Sequence, residues 1–99
     1  MNNIDFNEWG AAVRAQLQRA IHEYVARTGK YPVAILAGGE YVVAIHRDPE
    51  RRNFYTVDDT PVWRGVPFVR CSLINKVVLV GEMEEIALPP VPPREFLHR

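Results

Sequence analysis

The side chains with nucleophilic chemistry are few in this chain of 99 residues. Cys71 is the single cysteine, and the histidines are His22, His46 and His98. A cysteine nucleophile needs a base within hydrogen-bond reach and a third group that orients this base. No histidine is near Cys71 in the sequence, so a Cys71/His46 site would depend on the fold. A buried structural thiol is the simpler interpretation.

Acidic side chains occur in two groups. Asp58 and Asp59 are adjacent, and Glu82, Glu84 and Glu85 follow the last strongly apolar run. Paired carboxylates can do acid–base chemistry or bind a hard cation. Adjacent acids in a turn, and glutamates after a strand, are more often solvated, and no two histidines show metal-ligand spacing. We therefore predict no catalytic residue, no metal site, no cofactor and no enzymatic activity.

A basic group, Arg47, Arg51 and Arg52, could contact an anion or an acidic partner. Asp48 and Glu50 lie between these arginines and offset their charge, so a solvated loop is the alternative. The whole chain has 12 basic and 12 acidic residues and a formal net charge of zero. Dedicated nucleic-acid binders normally carry a basic excess or a basic face, so we do not expect nucleic acid as a partner.

The end of the chain carries the strongest signal outside the predicted core. Its prolines satisfy the PxxP pattern twice, which favours a polyproline-II extension that ends in two apolar residues. We predict that this arm, 89–99, docks on another chain. Folding back on its own domain and a frayed terminus are the alternatives. The predicted contacts are Pro89, Pro90, Pro92, Pro93, Phe96 and Leu97.

A long amphipathic helix over 5–28 is the main element that must position these groups. Asp5 is a suitable N-cap, and Gly29 followed by Pro32 ends the helix. Apolar residues recur at the spacing of one helical face, so we expect this stripe to pack on a sheet. A partner-binding helix with an exposed stripe is the alternative. The stripe consists of Phe6, Trp9, Val13, Leu17, Ala20, Ile21, Tyr24 and Val25.

The segment after the helix contains one clear strand and one ambiguous element. Residues 33–37 form a short apolar strand. The pair Gly38-Gly39 then favours a hairpin with a strand over 40–47, but it equally suits the start of a short helix. Propensity alone favours the hairpin, and we keep both structures open. Residues 46–53 are predicted to form a polar loop, because the Asp-Pro pair interrupts regular structure.

Three further strands are expected in the second half of the chain, at 54–57, 66–71 and 77–80. Residues 58–61 are predicted to form the turn after the first of them. Pro67 has no amide hydrogen, so its strand should lie at an edge of the sheet, where a second chain could add, or should have an unpaired start. The run over 77–80 is apolar at every position and is the predicted central strand.

The order of these elements resembles the axial domain of the major capsid proteins of tailed phages and of the related encapsulins. The corresponding segments are TGKYPVAIL (28–36), EYVVAIHRD (40–48), WRGVPFV (63–69) and VVLVGEM (77–83). The resemblance implies a short helix over 40–47 and a stand-alone phage or prophage protein on a related scaffold. The extended arms and loops by which those shells interlock have no counterpart here. The family has no catalytic residues to carry over.

We predict a single α+β domain over 1–88, with one long N-terminal helix packed on a small, mostly antiparallel sheet over 33–80. The Pro-rich C-terminal arm over 89–99 completes the chain. No apolar run reaches the ~20 residues that cross a bilayer, and the first residues contain no secretory signal. We therefore expect a location in the cytoplasm of a host cell or in a virion, and no membrane partner.

The predicted function is that of a non-enzymatic protein–protein interaction module, acting in virion assembly or as a subunit of a larger complex. A homo-oligomer is among the expected states. The first alternative is a phage-encoded inhibitor of a host defence or host enzyme, with Glu82, Glu84 and Glu85 forming an acidic edge that mimics nucleic acid. The second is a small ligand-binding protein or enzyme that uses Cys71 and His46.

Overall fold

The computed structural model describes residues 3–91, with side chains from Phe6 onwards. Two helices, six strands and one turn of 3-10 helix (Arg51–Asn53) make up this part of the chain. Neither helix is long and apolar enough to cross a membrane. The predicted α+β class is confirmed. In chain order the elements are α1 (Asn3–Thr28), β1 (Ala34–Ala37), α2 (Glu40–His46), β2 (Phe54–Val57), β3 (Thr60–Trp63), β4 (Val66–Arg70), β5 (Val77–Val80) and β6 (Glu85–Ala87).

Helix α1 follows the predicted amphipathic pattern. It begins at Asn3, two residues before the predicted cap Asp5, and it ends at Thr28. Gly29 then takes a φ of 76° and donates its N–H to the carbonyl of Val25 at 2.8 Å, which is a common way to end a helix. The stripe faces the core: five of its members, Trp9, Val13, Leu17, Ile21 and Tyr24, are buried.

The six strands form one sheet in the order β2-β3-β4-β1-β5-β6. Only β1 and β4 are parallel, and the other neighbours are antiparallel. Three predictions about the sheet were wrong. The strand at 77–80 is second from an edge, because β1 and β4 occupy the centre. The sheet also extends beyond residue 80, since Glu85–Ala87 adds β6. The turn predicted over 58–61 is shorter than expected and contains only Asp58 and Asp59.

Pro67 lies in an interior strand, so of the two placements predicted for it, an edge strand or an unpaired start, the edge strand is excluded. Trp63 and Val66 flank a two-residue turn and form the hydrogen-bonded pair that closes it. The next pair, Val62 and Pro67, is then of the type that exchanges no hydrogen bonds. Pairing between β4 and β1 begins one residue later, at Phe68. Neither neighbouring strand, β3 or β1, therefore needs an amide hydrogen from Pro67. This agrees with the unpaired start that was the other predicted placement.

The ambiguous segment 40–47 is helical. Helix α2 directs Tyr41, Val42, Ala44 and Ile45 into the core. The rings of Trp9 and Tyr41 pack 5.0 Å apart, and an Nη atom of Arg14 on α1 donates to the carbonyl of Ala44 at 2.6 Å. Because this carbonyl belongs to the last turn of α2, Arg14 supplies it with a donor from outside the helix. Both helices pack on the same face of the sheet and share one core.

Candidate protein-binding surface

The face of the sheet opposite the helices is the candidate binding surface, and we call it the open face. Successive residues of a strand point to opposite faces, and Ile35, Trp63, Phe68 and Leu79 mark the helix side because they belong to the core beneath α1 and α2. The strand registers then assign the other residues. The open face consists of Ala34, Leu36, Tyr55, Val57, Thr60, Val62, Pro67, Val69, Val78, Val80, Glu85 and Ala87.

The open face is apolar across its width. Its two polar members, Thr60 and Glu85, lie at the rim, at the start of β3 and in the edge strand β6. With strands ~4.8 Å apart and ~3.3 Å per residue, six strands of about four residues span roughly 24 by 13 Å. This footprint of about 300 Å² includes side chains that are buried, so only part of it is exposed apolar surface.

The centre of the open face is sheltered and its outer part is exposed. Val62 and Val78 are 6% and 8% exposed, yet neither belongs to the core under the helices. Around them Tyr55, Val57 and Val69 are 46%, 50% and 43% exposed. Three exposed apolar side chains therefore lie beside a sheltered centre on the same face of the sheet.

The run over 77–80 explains why the open face was not recognised in the sequence. Val77 and Leu79 point into the core, whereas Val78 and Val80 point to the open face. A continuous apolar run is typical of a strand buried on both faces. Here only one of the two faces is covered by helices.

The three arginines of the predicted basic group have different surroundings. Arg47 follows α2, and its guanidinium lies 5.4 Å from the ring of Phe6. Arg52 pairs with Glu50 at 3.0 Å, with both side chains mostly exposed, and such a pair contributes little to stability. Arg51 is exposed at the start of the 3-10 turn. Contact of these arginines with an anion or acidic partner stays a prediction.

His46 and Cys71 have separate surroundings. The imidazole lies 4.5 Å from the ring of Phe54 and 5.6 Å from that of Phe68. Cys71 is a half-buried free thiol after β4, and its backbone N–H bonds to Ala37. Among the described residues, no hydrogen bond joins the imidazole to the thiol and none joins it to a carboxylate that would orient it. This arrangement provides no activated nucleophile.

His46 is exposed at its outer side, although its ring contacts Phe54 and Phe68. Partial desolvation by these contacts lowers its pKa, and the positive charge of Arg70 lowers it further, so we expect a small dependence of stability on pH. The unfolded chain therefore binds the proton more tightly, so the free energy of unfolding falls as pH drops through the ordinary value of 6.5. We expect His46→Phe, which keeps the ring contacts, to lose less stability than the wild type between about pH 7.5 and about pH 5.

Urea unfolding at the two pH values measures this difference. Arg70→Gln removes the secondary cause, and we expect its pH dependence to lie between those of the wild type and His46→Phe. An identical pH dependence in His46→Phe and the wild type would contradict the role of His46.

The acidic residues are dispersed and partly neutralised. Glu82 pairs with Lys30 at 3.1 Å, and Glu84 pairs with Arg27 at 3.0 Å. Asp58 and Asp59 form the two-residue turn between β2 and β3, with φ values of 51° and 66°. In the described part of the chain, no three His, Cys, Asp or Glu residues are grouped so that they could hold a metal ion.

The first residues of the predicted arm pack on α1. Val91 is buried in the core, as is Leu88 immediately before the arm. The amide of Gln16 donates to the carbonyl of Pro89 at 2.9 Å, and the side chains of Pro89 and Pro90 are exposed. The other predicted contacts lie outside the described residues, so docking of the arm on another chain stays a prediction. These are Pro92, Pro93, Phe96 and Leu97.

The polar loop at 46–53 has exposed side chains on either side of one buried carboxylate, which the sequence did not indicate. Asp48 is 8% exposed. Its Oδ1 accepts the backbone N–H of Glu50 at 2.9 Å, and its Oδ2 accepts from the amide of Asn53 at 3.1 Å and from the indole of Trp63 at 2.9 Å. An Asx turn could be expected from Asp48-Pro49, but nothing in the sequence indicates the bond to Trp63.

The carboxylate of Asp48 is ionised because of these bonds. Burial by itself raises its pKa, but the three hydrogen bonds and the positive charge of Arg14 outweigh burial and hold the pKa below its ordinary value. Trp63 is fully buried. The carboxylate therefore joins the loop after α2 to the interior of the sheet, and this role is structural.

Comparison of the chain with protein-family models, with curated proteins and with solved structures finds no match. The functional conclusion therefore depends on the geometry of this molecule alone.

Proposed function

We propose that this chain is a non-catalytic protein-binding domain whose open face docks on a partner protein. The observation that carries the proposal is the apolar open face, with Tyr55, Val57 and Val69 about half exposed beside the sheltered Val62 and Val78. Exposed apolar patches on monomers often mark binding sites, and protein partners are among the ligands they bind. The absence of an oriented base beside Cys71 supports a role without catalysis.

The chemistry of the open face specifies the partner surface. Burial of a charge opposite these residues would be unfavourable, because Glu85 at the rim is the only charged residue of the face. The helix side of the same sheet already accepts the apolar stripe of an amphipathic helix, α1. We therefore expect a partner that lays the apolar stripe of a helix across the open face, as in helix-on-sheet packing within domains.

A photoreactive residue at position 69 tests this proposal. We expect benzoylphenylalanine in place of Val69, in β4, to form one defined adduct in a lysate of the cells that express the gene. The same residue in place of Val43 is the matched control, since Val43 is 41% exposed but lies on α2. Equal adducts from both positions, or none from position 69, would contradict docking on the open face.

The partner identified in this way then permits a quantitative test. We expect Val69→Glu to weaken binding at least about 10-fold, because the interface would bury an unpaired charge. Val43→Glu introduces the same charge outside the open face, and we expect binding to stay within about twofold of the wild type. Circular dichroism and thermal unfolding check that both variants fold.

Among the specific roles, assembly of a virion or larger complex is favoured over inhibition by nucleic-acid mimicry. Glu82 and Glu84 are paired with basic residues, so the edge predicted to imitate nucleic acid is largely neutralised. The class of the captured protein distinguishes the two roles: virion components support assembly, whereas a host enzyme supports inhibition.

A further inference from the structure

Strand β2 is an edge of the sheet, and no other strand in the described part of the chain pairs with its outer side. It has four residues, Phe54–Val57, and none of them is charged. The opposite edge strand, β6, is shorter and contains Glu85. Proteins usually protect sheet edges with charges, prolines or bulges, because a free edge pairs readily with another strand. The difference between the two edges indicates β2 as the place where a strand can add.

The backbone groups that face the free edge follow from the pairing with β3. Val57 and Thr60 flank the two-residue turn, so they form a hydrogen-bonded pair. The next pair, Thr56 and Pro61, exchanges no hydrogen bonds, as the missing amide hydrogen of Pro61 requires. With the same alternation, Phe54 and Thr56 direct their N–H and C=O groups away from the sheet. These groups are available to another strand.

The residues that flank β2 are complementary to their own copy. Arg51 and Arg52 precede the strand, and Asp58 and Asp59 follow it. If a second β2 approaches antiparallel with Tyr55 opposite Tyr55, each Phe54 faces the Thr56 of the other copy. Both edge-facing residues are then hydrogen-bonded, and the arginine flank of each copy lies beside the aspartate flank of the other.

We propose that two copies of this chain pair antiparallel through β2, about a two-fold axis that passes between their Tyr55 residues. The two six-stranded sheets then form one continuous sheet, with both open faces on the same side. A closed two-fold dimer is the commonest arrangement of identical subunits. The dimer uses the edge of the sheet and does not depend on a partner docking on the open face.

The charged residues that flank β2 favour this register over the one in which Thr56 lies opposite its own copy. If Thr56 lay opposite its own copy, Phe54 would face Asp58, and the arginine flank would lose its partners. The existing pair between Arg52 and Glu50 is exposed, with side-chain exposures of 85% and 54%, so its exchange for Asp58 of the copy costs little. The zero net charge of the chain adds no overall repulsion between the two molecules.

The expected dimer is weak and reversible. A pairing of four residues extends ~13 Å along the strand, so the interface belongs to the small class that buries less than about 1,200 Å². We expect sedimentation velocity to show a shift from monomer to dimer between about 10 µM and about 1 mM. A purely monomeric wild type at the upper concentration would overturn the proposal.

Thr56→Pro tests the backbone pairing. It removes an amide hydrogen that faces the free edge and leaves the bonds between β2 and β3 intact. We expect the variant to fold, as circular dichroism can verify, and to remain monomeric at about 1 mM. A dimer that persists in folded Thr56→Pro would show that the copies associate through another surface.

Charge reversal tests the flanks. We expect Arg52→Asp alone and Asp58→Arg alone each to weaken the dimer at least about 10-fold, because like charges then meet at both ends of β2. An equimolar mixture of the two variants restores opposite charges and should recover the dimer. The left-handed turn conformation accepts arginine, since Arg64 has a φ of 51° in the neighbouring hairpin. No recovery in the mixture contradicts the register.

An engineered disulfide between the two copies tests the position of the proposed two-fold axis. In a Cys71→Ser background, Tyr55→Cys places two thiols opposite each other at a Cβ separation of ~4.5–5.5 Å, close to the geometry of a disulfide. Val57→Cys is the matched control on the same face, because its copy lies about four residues, or ~13 Å, away. We expect covalent dimers from Tyr55→Cys only. Equal cross-linking of the two variants would overturn the proposed axis.

Discussion

Replacement of Asp48 by alanine is expected to lower the free energy of unfolding by about 2–4 kcal/mol. The carboxylate accepts hydrogen bonds from the backbone of Glu50, the amide of Asn53 and the indole of Trp63. A buried donor left without a partner costs about 1–3 kcal/mol, and the indole of Trp63 is fully buried. The loop donors can turn to water, so the total is smaller than three full penalties. Urea unfolding monitored by tryptophan fluorescence measures the change.

Asp48→Asn separates the hydrogen bonds of this group from its charge. The amide oxygen can still accept the indole N–H, so we expect a smaller loss of about 1–2 kcal/mol at neutral pH. The folded pKa of Asp48 is lowered, so its stabilisation is present above the ordinary value of 3.8 and is lost as pH falls through the lower folded value. Asp48→Asn should therefore be less sensitive to acid than the wild type. A loss below about 0.5 kcal/mol in Asp48→Ala, the usual effect of a surface substitution, would contradict the structural role.

Substitution of Gly38 by alanine is expected to destabilise the fold by about 4 kcal/mol or more. A Cβ atom at this position would overlap the carbonyl oxygens of Cys71 and Ile74. These are backbone atoms, so no side-chain rotation can relieve the clash. The two segments are also held together by hydrogen bonds, from Gly38 N–H to the Lys76 carbonyl at 3.2 Å and from Cys71 N–H to the Ala37 carbonyl at 2.8 Å.

Gly29→Ala is the matched control for this prediction. A Cβ at Gly29 would meet no atom within 4 Å, but the residue has a φ of 76°. Its substitution should therefore cost only the left-handed strain of about 1–2 kcal/mol. Urea unfolding of the two variants compares the steric cost with the conformational cost. A loss at Gly38 no larger than that at Gly29 would contradict the close approach of residues 71–74.

The predictions that succeeded are those that depend on residues close together in the chain. Helix α1 was predicted because its apolar residues recur with the helical period and Gly29 supplies a stop. The strands at 33–37, 54–57, 66–71 and 77–80 were recognised from short apolar and β-branched runs. Such patterns record which side of an element is buried, and they need no information about what covers it.

The predictions that failed depend on which segments become neighbours. Pro67 was predicted to lie at an edge or at an unpaired start, and only the register, which places it in a pair that exchanges no hydrogen bonds, decides between the two. The polar appearance of the loop at 46–53 hid Asp48, whose partner Trp63 is 15 residues away. Residues 40–47 are compatible with a strand or a helix locally, and the helix forms where α2 can bury its side chains against α1.

The candidate surface was also decided by the tertiary structure. The sequence by itself determined the α+β class, the long helix, most of the strands and the absence of a recognisable catalytic motif. It did not determine the strand order, the buried carboxylate or the open face. The physical reason is that local patterns report the solvation of each residue, whereas an exposed apolar surface arises only after pairing has assigned every strand its neighbours and packing has covered one side of the sheet.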